Sequence, residues 1–364
     1  MQSIKKLQQS LSQYFNLSYW NLECLCHVIL SLNICNDVNL STIAKSINRK
    51  ASYQSCYRRL QRLINRLPVS FSHLWAMSQG LFKMPDQVIL SMDRTNWKFG
   101  KIHINFLVVA VVYKGVAIPL IWRLLPDRKR GNSNARERIE LFDKLQTFFP
   151  FKKIKVLLGD REFIDRAWIA YLSYHHIPFV IRAKDNLIAN NKKIIRYFHN
   201  LKVGEQKMPK KPFNILGLSM FLSGKRLPDG QLLIVVAGCY DDKAIEIYAL
   251  RWEIESFFSA LKIRGYNFEN THITDSEKLS KLMFIVSIAL LWAYKCGEIK
   301  ELRKKTTVKK HGYKAASMIK NGIIIISKAI ARMPVVKNAM LDIIQAAFNP
   351  NISFKKRISL IGVV

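Results

Sequence analysis

Val88-Ile89-Leu90-Ser91-Met92-Asp93 begins the stretch whose reading decides the fold, an apolar run that reads as a strand and delivers an acid at its end. Ile102 to Val112 and Val116 to Leu125, separated by Tyr113-Lys114-Gly115, then make a β-hairpin rich in Val and Ile. Asn132-Ser133-Asn134 caps a helix from about Ala135 to Phe148. Ile154-Lys-Val-Leu-Leu-Gly-Asp160 is a second apolar strand ending in an acid, followed by a helix from about Phe163 to His176 and a strand from Pro178 to Arg182. Three strands in a meander, then strand and helix in alternation, predict an α/β fold with a mixed sheet covered by helices. Two carboxylates at strand ends of such a sheet can meet on one edge and share divalent cations. The alternative for each is a helix cap or a turn residue.

Outward from this core the patterns change. Residues 1 to about 80 read as wholly helical. Within them Asn39 to Ile47 is a short helix, Asn48-Arg49-Lys50 a turn, and Ser52 the cap of a second helix, which ends before Pro68. That second helix is expected to bury Tyr53, Cys56, Tyr57, Leu60, Leu63 and Ile64 and to turn Arg58, Arg59, Arg62 and Arg66 outward. It resembles a helix-turn-helix with a basic recognition helix, in which Arg58 and Arg62 contact DNA; many helical hairpins share the pattern. Between Lys184 and Tyr240, Lys-rich segments surround short strands at Phe213 to Phe221 and Gln231 to Cys239, with Gly224 and Pro228-Asp-Gly230 as turns. This predicts a β-rich insertion at about 185–240. After Thr271 the expectation is a buried helix from Ser280 to Tyr294, an exposed basic link from Lys300 to Lys310, and a helix from Ala315 to Ala331. The resulting division is a helical DNA-binding domain at 1–80, a catalytic domain at 85–335 and a C-terminal tail at 336–364.

Tyr248-Ala-Leu-Arg251-Trp-Glu-Ile-Glu255, followed by Lys262, sets a carboxylate between two cations and a phenol. On one continuous helix, at about 100° per residue, Tyr248, Arg251, Glu255 and Lys262 fall within an arc of about 60°, beside an apolar stripe of Ile247, Leu250, Ile254, Phe257, Phe258 and Leu261. Such a helix buries one side and offers the other to a polyanion. Trp252 lies just outside the arc, placed either to stack on a displaced base or to pack against a neighbouring helix. The plainer reading is a surface helix with a salt-bridged face.

Charge favours the polyanion. The chain carries 58 Lys+Arg against 25 Asp+Glu, a formal +33, and its usual partners are nucleic acid or an anionic membrane. Membrane is the weaker option, because the longest apolar run, Leu282 to Tyr294, falls short of the roughly 20 residues of a span. The first residues have no continuous apolar stretch of the kind a secretory signal needs. Six cysteines at irregular positions point to buried thiols in a reducing cytoplasm rather than to disulfides. Cys24-Leu-Cys26-His27 with Cys35 lacks the second paired spacing that a zinc site requires.

With Asp93, Asp160 and Glu255 in order on strand, strand and helix, the chain resembles the DDE transposases of bacterial insertion sequences, and most closely the insertion-sequence family "IS four". Tyr248, Arg251, Glu255 and Lys262 satisfy every interval of that family's signature, Tyr, two residues, Arg, three residues, Glu, six residues, Lys. Asp93-Arg-Thr-Asn-Trp97-Lys-Phe-Gly100, Gly131-Asn-Ser-Asn134, Asp160-Arg161-Glu162-Phe163, Pro178-Phe-Val-Ile-Arg182 and Gly265-Tyr-Asn-Phe-Glu-Asn-Thr-His272 are similar to its other segments. The resemblance implies an RNase H-like core with a β-rich insertion before the glutamate. It also implies catalysis by Asp93, Asp160 and Glu255 as ligands of two Mg²⁺ or Mn²⁺ ions, and contact of Tyr248, Arg251 and Lys262 with the terminal DNA. The implied partners are double-stranded transposon ends and target DNA, bound in the cytoplasm by a homodimer in the synaptic complex. Metal-assisted phosphodiester chemistry also follows from hard oxygen ligands alone, since two cations serve both the attacking and the leaving oxygen. Trp97 is expected to support the core, Arg161 and Glu162 to steady the metal site or pair with each other, and His272 to be structural. Two rival readings remain: an RNase H-like nuclease or resolvase, which shares the acids but not the signature spacing, and an inactive DNA-binding remnant.

Overall fold

The computed structural model describes residues 2–47, 51–125, 131–262, 264–310, 314–332, 338–349 and 351–362. The chain divides into two compact units, one of residues 85–97 and 101–257, the other of residues 1–84, 98–100 and 258–364.

The N-terminal elements are all helical: α1 (Gln2–Ser12), α2 (Tyr19–Cys35), α3 (Leu40–Ser46), α4 (Tyr53–Arg66) and α5 (Phe71–Leu81). Four of the five starts are set by a short polar side chain that accepts a free first-turn amide: Ser18 from Asn21, Asn39 from Ser41, Ser52 from Ser55 and Ser70 from His73. α4 buries Cys56, Leu60, Leu63 and Ile64 as its spacing predicts. Tyr53 and Tyr57 depart from expectation, Tyr53 being exposed and Tyr57 half-buried. One turn apart at the edge of the apolar stripe, their rings stack on each other instead, with centroids 6.0 Å apart. Arg58, Arg62 and Arg66 are exposed, but Arg59 is not free to face outward, because it donates to Glu23 Oε2 at 2.7 Å and to the Trp20 carbonyl at 3.0 Å. The expected turn Asn48-Arg49-Lys50 lies outside the described residues.

The sheet starts with β1 (Val88–Phe99), β2 (Ile102–Tyr113) and β3 (Val116–Leu124). A two-residue turn at Lys114-Gly115, with φ of 48° and 87°, closes the β2–β3 hairpin, and positive φ at both central residues is what the twist of the flanking strands selects. α6 (Ala135–Gln146) starts in a reciprocal capping box between Asn134 and Glu137. β4 (Ile154–Gly159), α7 (Arg166–Tyr174) and β5 (Phe179–Arg182) follow. Then come β6 (Ile188–Ala189), β7 (Lys192–Lys193), β8 (Gln206–Lys207), β9 (Phe213–Ile215), β10 (Leu218–Arg226) and β11 (Leu232–Ala237). Sheet order is β3-β2-β1-β4-β5-β11-β10-β8, with β9 also on β10. β1, β4 and β5 are parallel, while β5–β11, β11–β10 and β2–β3 are antiparallel.

The β-rich segment is therefore largely continuous with the central sheet. Val235, Val236 and Ala237 of β11 pair with Arg182, Ile181 and Val180 of β5, which satisfies an edge that would otherwise expose unpaired amides. The strand expected at Phe213 to Phe221 is split by a turn at Leu216-Gly217, φ 56° and 79°. Gly224, expected in a turn, sits inside β10 opposite both Ile234 and Lys207.

The segment expected as one signature helix is three pieces: α8 (Ala244–Ala249), a 3₁₀ turn at Leu250–Trp252, and α9 (Glu253–Leu261). α8 lays Ala244, Ile245 and Tyr248 on Val156, Leu158, Val180 and Val235 of the sheet. The boundary between the two units falls inside α9, after Phe257.

The remaining helices are α10 (Ser276–Arg303), α11 (Met318–Arg332), α12 (Ala339–Phe348) and α13 (Phe354–Gly362), in the unit that holds α1 to α5. α10 extends well beyond the expected Ser280 to Tyr294. At 28 residues it is long and apolar enough to cross a membrane, so the expectation that the run is too short is corrected; here its apolar window is wholly buried among helices of its own unit. Polar groups along it are matched: Lys281 donates to the Asn65 carbonyl at 2.7 Å, and Lys295 pairs with Glu298 at 2.9 Å. Lys300, expected in an exposed link, is helical and donates to Asn321 Oδ1 at 2.7 Å. In the segment expected as a tail, α12 buries Met340, Ile343, Ile344 and Phe348 and packs against α1, α10 and α11. It belongs to a core, because its apolar residues recur at helical spacing.

Candidate active site where two parallel strands stop pairing

The register of β1 against β4 brings the first two acids together. Ser91 pairs with Leu158 and Met92 with Gly159, the last pair of that ladder, so Asp93 and Asp160 occupy the next positions on the two chains. Asp160 directly follows β4, but Asp93, expected at a strand end, lies midway along β1, which runs on to Phe99 and pairs also with β2. Gly159 leaves room there, since a Cβ on it would meet Phe163 at 3.0 Å.

Asp93 is largely buried, with 15% side-chain exposure. Its Oδ1 accepts the Arg94 amide at 2.7 Å and its Oδ2 accepts Arg251 Nη1 at 2.8 Å. Burial pushes the Asp93 carboxyl up to about 6; Arg251 and the Arg94 amide pull it back, and the charges of Glu255 and Asp160 push it further. Both other acids are thus close enough to be felt electrostatically. Asp160 Oδ1 is buried and has no hydrogen-bond partner among the described residues.

Arg251 joins the third acid to the first. Its Nη1 is 4.0 Å from Glu255 Oε1, and the side chain is only 6% exposed. The guanidinium lies 4.8 Å from the Trp252 ring centroid and 5.9 Å from that of Tyr248. Ser91 Oγ donates to the Arg251 carbonyl at 3.4 Å, tying the 3₁₀ turn to β1. Among the described residues no group of three His, Cys, Asp or Glu side chains is gathered tightly enough to hold a metal ion. Asp93 and Asp160 are adjacent; Glu255, 48% exposed, is linked to Asp93 through the arginine.

The expected phosphate-facing row is therefore not one surface. Tyr248 is in the core at 3% exposure, where burial pushes its phenol up to about 12, and Arg251 faces inward to the acids. A 3₁₀ turn advances about 120° per residue rather than about 100°, which rotates the residues before it relative to those after it. Trp252 is left 62% exposed. Lys262 lies in the other unit and pairs with Glu269 at 2.9 Å. Arg58 and Arg62 are on the exposed face of α4, also in that unit.

Several neighbours of the acids are not legible in the sequence. Arg94 forms a forked pair with Glu162, Nε and Nη2 each 2.6 Å from a carboxylate oxygen, and also donates to Asn105, to the Gly131 carbonyl and to Asn132. Arg138 donates to Ser133 and to the Glu162 carbonyl. This network ties the Gly131 to Asn134 segment to the residues that follow both acids. Glu162 thus pairs with Arg94 rather than with Arg161, a partner 68 residues away that local spacing does not reveal. Glu253 carries no signal in the sequence either: its Oε2 is buried without a partner among the described residues, and burial pushes its carboxyl up against the opposing pull of the Gly115 and Tyr113 backbone. Trp97 stacks on Phe106 at 5.8 Å, as a core support should. His272, itself exposed, packs on Phe99 at 5.2 Å and meets Asn270 Oδ1 at 3.2 Å. Cys24, Cys26, Cys56 and Cys296 are buried free thiols, Cys35 is half-buried and Cys239 is exposed.

The family model of the transposase DDE domain matches residues 85–292, more than half of the chain, and the chain belongs to that family. No curated protein matches it. A solved structure described as the cryo-EM structure of the piggyBac transposase synaptic complex with hairpin DNA is similar at 10% identity, with a TM-score of 0.45, over 97% of this chain and 84% of that one.

Proposed function

We propose that the chain is the transposase of an insertion sequence of the "IS four" type, which binds the terminal inverted repeats, hydrolyses the 3′ strands and joins the 3′ hydroxyls to target DNA. The observation that carries this reading is the placement of Asp93 and Asp160 just past the point where β1 and β4 stop pairing, with Glu255 linked to Asp93 through Arg251. The sheet order β3-β2-β1-β4-β5, antiparallel then parallel, supports an RNase H-like core.

The donor set suits a hard divalent cation such as Mg²⁺ or Mn²⁺. Asp160 offers a buried, unpartnered oxygen, and an Asp93 carboxyl raised to about 6 gains from a cation that keeps it ionised. Asp93, Asp160 and Glu255 would hold two such ions, which supply a deprotonated attacking oxygen and a neutralised leaving oxygen in phosphodiester cleavage. Arg251 favours the ionised form of Asp93 against the larger effect of burial and stands between it and Glu255. Arg94, through its amide and its pair with Glu162, orients the Asp93 carboxylate. Trp252, exposed beside Arg251, is placed to stack on a base of the DNA end. Arg58 and Arg62 of α4 serve duplex recognition. The protein acts on DNA in the cytoplasm, as a homodimer when two ends are paired.

Full-length protein incubated with Mg²⁺ and a plasmid carrying the element's two ends is expected to yield 3′-hydroxyl breaks at the ends and joined products in a second plasmid. Nicks scattered over any structured DNA with no joined product would favour the nuclease reading, and binding with no breaks in Mg²⁺ or Mn²⁺ the inactive remnant. Lys262→Ala is expected to weaken the DNA-end complex with a defect that deepens as salt rises, since a lost phosphate contact removes electrostatic binding. Its half-buried pair with Glu269 contributes about 1 kcal/mol to stability, so unfolding shifts only slightly. An unaltered complex at both low and high salt removes Lys262 from the DNA contact.

A further inference from the structure

The start of α2 and the last turns of α4 enclose a groove of about 400 Å³ that the acids do not share. Trp20 lines it and is 68% exposed, its ring edge-on to that of Tyr19, 56% exposed, at 5.2 Å and 86°. Arg62 and Arg66, both exposed and one helical turn apart, line it as well. Arg59 completes the set, and its pairs with Glu23 and with the Trp20 carbonyl tie α4 to α2 and neutralise the neighbouring carboxylate. No carboxylate is among the described residues that line the groove.

Two adjacent aromatic rings left in water are an unusual expense of apolar surface, and their association with arginines restricts what can cover them. Duplex DNA presents phosphates and base edges, whereas its base faces are hidden in the stack. A strand with unpaired bases presents both a charged backbone and open ring faces, the two features that a basic groove with an aromatic platform satisfies. We infer that this groove binds a single-stranded segment of DNA, with Trp20 stacking on a base and Arg62 and Arg66 holding neighbouring phosphates. Arg62 is shared with the duplex-reading face of α4, but Trp20 is not, so Trp20 carries the test. Such binding needs neither the three acids nor a metal and persists even if strand cleavage is never observed.

The experiment uses the full chain without divalent cation and measures fluorescence anisotropy of a labelled thymidine oligonucleotide of about 16 nucleotides and of a duplex of the same length. Trp20→Ala is expected to weaken oligonucleotide binding by about tenfold, the size of one base–aromatic stack, while duplex affinity stays within about twofold. Trp20→Phe is expected to recover most of the loss. Unchanged oligonucleotide affinity in Trp20→Ala overturns the assignment, as does a wild-type chain that fails to bind the oligonucleotide at low salt. Equal losses for oligonucleotide and duplex overturn it too, because Trp20 would then be a duplex contact or a support of the fold.

Discussion

Asp93→Asn, Asp160→Asn and Glu255→Gln are each expected to reduce strand cleavage by at least roughly a thousandfold while the DNA-end complex still forms. The size follows from the chemistry: losing several kcal/mol of metal-borne transition-state stabilisation, about 4 kcal/mol, is about three factors of ten in rate. Asparagine and glutamine keep the shape of the acids, so packing is preserved and charge alone is removed. Calorimetric titration with Mn²⁺ separates the roles, because each substitution should weaken metal binding independently of any rate. Wild-type metal affinity should also fall as pH drops below about 6, since a proton then competes with the cation at Asp93. Above that pH the carboxylate is ionised and the dependence should flatten. An acid whose substitution leaves both cleavage and Mn²⁺ affinity near wild type does not belong to the site.

Glu162→Ala should produce the largest loss of stability, about 3–5 kcal/mol, because it strands the Arg94 guanidinium at 13% exposure without its forked partner. Native-state hydrogen exchange reports the loss where it arises, as faster exchange of amides in β1 and β4. Arg94→Lys is not expected to substitute for arginine, since a lysine cannot span both oxygens of Glu162 while bonding Asn105 and Asn132. Exchange rates in Glu162→Ala within about twofold of wild type would mean that the pair contributes no more than an exposed surface bridge.

Much of the architecture is legible in the sequence. Alternating and continuous apolar runs marked β1 to β5, Lys114-Gly115 marked the hairpin, and Asn134 and Ser52 marked helix starts. These signals are local, each set by a residue's own backbone preference or by its spacing along one element. Less legible were features that depend on a distant partner. The strands at Leu218–Arg226 and Leu232–Ala237 looked like a separate insertion, because nothing within them says that the free edge of β5 will accept β11. The 3₁₀ turn at Leu250–Trp252 was missed because its residues also suit an α-helix.

The sequence by itself determined the α/β alternation, the helical N-terminal region, the strong positive charge and the position of Asp160 at the end of an apolar strand, but not that the strand carrying Asp93 runs on to Phe99. Covalent order and side-chain periodicity suffice for those. Only the tertiary structure decided that Asp93 and Asp160 are neighbours, that Arg251 turns inward to Asp93 while Tyr248 enters the core, and that Glu162 answers Arg94. The physical reason is that strand register and buried ion pairing are set by which groups lose water together on folding, and the two ion pairs alone join residues 68 and 158 apart along the chain.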